Sequence, residues 1–127
     1  MDILCDFQPR QIVYLENGNQ RLYAEVIQVV ETRQMCWVRP LLLVTFPLDD
    51  TFEHSPRVTD LRLSADLFWS SSLFRPAVDT DVIPFLVGLA TEPADEGNLS
   101  AKSQLNQFVQ RVWQADQDDT HNSKFKI

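Results

Sequence analysis

The residues of this chain that can do chemistry are few and widely spaced. The only imidazoles are His54 and His121 and the only thiols Cys5 and Cys36, and no CxxC, HExxH or HxH spacing gathers them into a ligand set. His54 follows Glu53, but one histidine beside one carboxylate in a segment rich in Pro, Asp and Ser reads as a solvated loop pair. The glycines Gly18, Gly88 and Gly97 fall in different segments, so no glycine-rich loop can cradle a phosphate. Acid–base catalysis needs two acids held in one cleft with their pKa values pushed apart. The adjacent acids Asp49–Asp50, Asp95–Glu96 and Asp118–Asp119 lie in segments that read as loop or tail, where water screens them. Ser70, Ser71 and Ser72 lack a GxSxG context and a nearby histidine, and read as a turn or strand end whose hydroxyls bond local backbone. Cys36 sits in the apolar run MCWV as a core thiol, and Cys5 has no cation closer than Arg10 to activate it. The expectation is a protein that is not an enzyme and uses no metal or other cofactor.

What remains is the chemistry of binding. Tyr14, Tyr23, Trp37, Phe68, Trp69 and Phe74 all fall before residue 76, in a region that also holds seven arginines. A small β-domain cannot bury every one of these rings, because neighbours on a strand point to opposite faces. If Phe68 and Trp69 are extended, one of them faces outward. Arg75 follows Phe74 and Arg39 follows Trp37 by two, so cations stand beside aromatic faces, the mixture that protein-binding hot spots use. The candidate partner-binding residues are therefore Trp69, Phe74, Arg75, Phe68, Trp37 and Arg39, with a groove around Trp69, Phe74 and Arg75 foremost. The competing reading of each ring is core packing. A second kind of partner is nucleic acid, met by Arg10, Arg21, Arg39, Arg57, Arg62 and Arg75 with the aromatics stacking on bases. Charge argues against it: the chain carries −7, with seven arginines against eight acids over residues 10–75 and four cations against eight acids over 76–127.

These residues need elements to position them. A chain of 127 residues suits one domain with a core that needs no disulfide or metal. Its longest apolar run, around LLLV at 41–44, is strand-sized rather than membrane-sized. The acid-bearing N-terminus MDILCDF is unlike a signal peptide, which points to the cytoplasm. QIVYLE, the turn NGN and RLYAEVIQVVE predict a hairpin, TRQ a second turn, and MCWVRPLLLVTF a third strand that Pro40 must bulge or place on an edge. VTDLRLS at 58–64 predicts a fourth strand and LFWSSSLFRPA a short fifth. The period then changes: Val82, Phe85, Leu86 and Leu89 share one helical face behind capping Asp79, Thr80 and Asp81. TEPADEGN at 91–98 reads as a linker. Leu105, Phe108, Val109, Val112 and Trp113 then form the apolar stripe of a second helix capped by Asn98 or Ser100. The expected fold is α+β: a small antiparallel SH3-like β-barrel of four or five strands over 10–77, a short helix over 79–90, and a longer amphipathic helix over 98–115. Residues 1–115 make one globular domain, with a helix over one open end of the barrel, and 116–127 a disordered tail.

The strand layout of QIVYLENGNQRLYAEVIQVVETRQMCWVRPLLLV and LRLSADLFWSSSLFRPA resembles that of SH3-like small barrels. DLFWSSSLFRPAVDTDVIPFL followed by QLNQFVQRVWQA is similar to a small acidic protein family of cyanobacteria without an established activity. That resemblance implies a cytoplasmic accessory factor for a photosynthetic or carbon-fixation assembly such as the carboxysome, and brings no catalytic residues with it. The leading expectation is thus a non-enzymatic interaction or assembly factor that binds a partner protein's peptide or surface.

Overall fold

In the computed structural model, which describes residues 7–48, 56–90 and 99–125, the chain is α+β, with a six-stranded antiparallel sheet and two helices. Strand β1 (Ile12–Asn17) turns at Gly18, whose φ of +59° at the first central position of a two-residue hairpin favours a residue without Cβ. Strand β2 (Gln20–Val30) then pairs back on β1 from Asn17↔Gln20 to Ile12↔Glu25. β2 outruns β1 because Pro9 lacks an N–H and Arg10 takes a left-handed φ of 74°, turning the chain away after the bonds between Arg10, Gln11 and Val26. A 3-10 turn (Glu31–Arg33) and left-handed Gln34 lead into β3 (Met35–Thr45). Pro40 is buried inside β3, and the register with β2 slips there, from Tyr23↔Leu42 to Ala24↔Pro40, so the missing donor is absorbed by a bulge at Leu41.

The far edge of β3 is shared. Strand β4 (Arg57–Asp60) pairs with Leu42–Thr45 and β5 (Leu67–Ser70) with Met35–Val38. Strand β6 (Arg75–Pro76) lies on the opposite edge, against Val13 and Tyr14 of β1. A single 3-10 turn (Ser71–Leu73) joins β5 to β6. Five residues of extended chain reach at most about 17 Å, whereas the four inter-strand steps from β5 to β6 would need about 19 Å in a flat sheet, so the sheet must curl strongly. Its ladder is not closed: among the described residues neither β4 nor β5 pairs with β6. The strand count is six because the serine turn divides LFWSSSLFRPA into β5 and β6. β4 stops at Asp60 rather than Ser64 because the Asp60 carboxylate accepts the Arg62 N–H at 2.9 Å, a local turn that competes with the ladder.

Curling creates two cores. Inside it, Leu15, Leu22, Val38, Leu43, Leu61 and Phe74 are buried, and helix α2 (Leu99–Phe125) closes this interior with Leu105, Phe108 and Val112. On the outer surface, Tyr23, Leu42 and Val44 are covered by helix α1 (Asp79–Ala90) through Val82, with Phe85 and Leu86 half-buried. Leu22–Ala24 and Leu42–Val44 are therefore buried on both faces, which accounts for the unbroken LLLV run. Asp79 and Asp81 occupy the first turn of α1, where carboxylates favour the helix dipole. Thr59 Oγ1 donates to Gln104 Oε1 at 2.8 Å and Arg111 donates to Gln20, so α2 is tied to both β4 and β2.

Helix α2 does not end at Ala115. Its backbone continues to Phe125, across the stretch expected to be a disordered tail, because no Pro or Gly interrupts 99–125 and a helix already nucleated on the core propagates cheaply. The predicted linker at 91–98, the Asn98 cap, Cys5 and His54 lie outside the described residues, as does the His121 side chain. Among the described residues no helix is long and apolar enough to cross a membrane.

Candidate partner-binding face

The pairing of β3 with β5 sorts the expected site residues by face. Trp37 and Phe68 are antiparallel partners and so point the same way, as Cys36 and Trp69 do to the other side. Cys36 and Val38 are buried in the inner core, so Trp69 packs half-buried against that core while Trp37 and Phe68 turn outward. Phe74 is only 3% exposed and belongs to the inner core, which corrects its assignment as a partner contact: the serine turn swings it inward between β5 and β6. Arg75 is exposed on β6, opposite Tyr14 at the other edge of the sheet. The groove of Trp69, Phe74 and Arg75 is thus not assembled, whereas Trp37, Phe68 and Arg39 come together.

Trp37 is 39% and Phe68 53% exposed. The Trp37 indole Nε1–H donates to Asp66 Oδ2 at 2.9 Å, and Arg39 Nε donates to Asp66 Oδ1 at 3.4 Å. One carboxylate therefore holds the ring and the guanidinium in place from the segment just before β5. Across β2, Gln28 stands opposite Trp37 and Glu25 opposite Arg39. With both its members solvent-accessible, the Arg39–Asp66 pair contributes roughly 0–1 kcal/mol to stability, so its effect is on orientation. Asp66 escapes sequence reasoning because it opposes Arg39 only through the β3–β5 register, which joins residues 27 apart.

The other arginines expected to meet nucleic acid do not share this face. Arg21 lies between the Tyr14 and Phe46 rings, 4.7 and 5.6 Å from their centroids, and donates to Tyr23 Oη and Glu16 Oε2. The Tyr23 hydroxyl first, and then Glu16, hold its pKa above the ordinary arginine value. Beside it a hollow of about 430 Å³ opens between Phe46, Phe85 and the Thr80–Asp81 start of α1. Arg62 grips Asp60 with Nε and Nη2, which pulls the Asp60 carboxyl below its usual value. Arg10, Arg57 and Arg75 are exposed, respectively before β1, on β4 and on β6, so the six arginines form no continuous basic surface. Among the described residues no group of three or more His, Cys, Asp or Glu side chains could hold a metal ion. No family model matches the chain, and neither curated proteins nor solved structures give a match.

Proposed function

We propose that this protein is a non-enzymatic interaction or assembly factor that binds a partner protein through the open outer face of β3 and β5. Trp37 and Phe68 form the apolar centre of that face, and Arg39 and Asp66 its polar rim. The reading is carried by Trp37 and Phe68, cross-strand partners 39% and 53% exposed on a sheet whose other outer half is covered by a helix. Covering such side chains is worth about 1.5–3 kcal/mol each, and aromatic anchors with a polar rim are how interfaces concentrate their energy. The curled sheet, with β5 and β6 joined by one 3-10 turn yet lying at opposite edges, also supports an SH3-like small barrel.

The test is retention of partners from the native extract by wild-type protein, Trp37→Ala and Phe68→Ser, each checked for a cooperative thermal transition that leaves it folded at the assay temperature. Loss of the same retained protein in both folded variants is the expected result. Retention unchanged in both would remove this face from the function. The likeness to a small acidic cyanobacterial family makes components of photosynthetic and carbon-fixation assemblies, carboxysomes included, the first baits to try.

A further inference from the structure

We infer that the partner presents a short basic segment to this face, with an arginine or lysine stem lying along Trp37 and Phe68 and its cationic head beside Asp66. The inference rests on the docking reading above and names the chemistry of what docks. Size argues for a short segment. At 150–250 Å² per aromatic side chain, the exposed parts of Trp37 and Phe68 amount to about 200 Å². A stable globular interface needs about 800 Å² from each partner, so a second copy of this chain is a poor occupant. Two copies at −7 each would also repel.

Charge then selects the segment. The charges that strand register and hydrogen bonds set beside this pair are Asp66, Glu25 and Arg39, with Glu31 and Arg33 offsetting each other in the adjoining turn, and Arg39 already leans on Asp66 at 3.4 Å. An acidic segment would meet one compensated cation within a chain of net −7, whereas a basic one would be drawn by the long-range field and received by the near carboxylates. Asp66 accepts one N–H on each oxygen, and a carboxylate can accept about four. The protein uses the same arrangement internally: Arg21 lies between Tyr14 and Phe46 with its head on Glu16. Trp37, Phe68 and Asp66 offer two rings and a carboxylate that Arg39 touches on one oxygen, and among the described residues the cation–ring contacts are those of Arg21.

The experiment follows the Trp37 Nε1–H resonance of the full chain, assigned with Trp37→Phe, during titration with three capped peptides. The first carries two arginines flanking a leucine between glycine and serine; the others replace the arginines by glutamates or by glutamines. The arginine peptide is expected to shift Trp37 Nε1–H at the lowest concentration. Its affinity should fall at least about fivefold when salt rises from about 0.05 to 0.5 M, and by a similar factor in Asp66→Asn, which keeps an acceptor for the indole. A glutamate peptide that binds as well, a glutamine peptide that binds equally, or no shift with any peptide at millimolar concentration would overturn the basic assignment. The docking face is judged separately: it survives any of those results if Phe68→Ser and Trp37→Ala still lose the native partner, and falls if they do not.

Discussion

Strands β2 and β3 run the length of the sheet, yet their outward faces differ at the two ends. Near the Gly18 hairpin, Tyr23, Leu42 and Val44 lie under α1 and are at most 1% exposed. Near the Gln34 hairpin, the same outward face carries Gln28, Trp37 and Arg39 and is open. Both ends have large rings, so ring content does not decide which end is core. The position of α1 does, and that follows from β6: once β6 is paired to β1 at Val13 and Tyr14, the chain enters α1 three residues later and can reach only the near half of the sheet.

The largest test of this contrast is Leu42→Ala against Trp37→Ala. Removing Leu42, fully buried under α1, should cost about 2–5 kcal/mol in urea unfolding. Trp37→Ala should cost less than about 1 kcal/mol, as a surface change losing one hydrogen bond. Equal costs would mean that the open end is packed as core. The two turns give the next contrast. Gly18→Ala forces a side chain onto φ +59° and should lose about 1–2 kcal/mol, although no atom lies within 4 Å to clash with the new Cβ. Gln34→Gly relieves the opposite mismatch at φ 54° and should be neutral or stabilising by up to about 1 kcal/mol in thermal melts.

A smaller effect is expected at Arg62, beside the inner core. Native Asp60 titrates below its ordinary 3.8, so its contribution is complete above that pH and is lost as pH falls through the lower native value. Arg62→Ala should therefore lower stability by no more than about 1 kcal/mol at pH 7 and make no difference in strong acid. A deficit that persists in acid would assign Arg62 a packing role instead. Smallest of all, Phe68→Ser should change stability by less than about 0.5 kcal/mol while abolishing partner retention.

Local signals were legible where one residue type decides a local geometry. Asn17–Gly18 set the first hairpin, Pro40 the bulge in β3, and the acids at 79–81 with the stripe of Val82, Phe85 and Leu86 placed α1 at Asp79–Ala90. The candidate face was legible only in part. Trp37, Phe68 and Arg39 were visible as an aromatic–arginine set, but Phe74 and Arg75 were grouped with them because sequence adjacency hides the serine turn that sends one inward and the other to the far edge. The reach of α2 beyond Ala115 was obscured because its stripe ends at Trp113, and a helix needs an apolar face to dock but only an unbroken backbone to continue.

The amino-acid sequence by itself determined the elements, their turns and the two-sided apolar runs, since backbone sterics and side-chain period act over a few residues. It also determined that Phe68 and Trp69 must part to opposite faces. Only the tertiary structure decided which of them is outside, which half of the outer sheet α1 covers, and that Asp66 reaches Trp37 and Arg39. Those outcomes depend on strand register and on the curl that carries β6 to β1, pairings between residues tens of positions apart that no local period encodes.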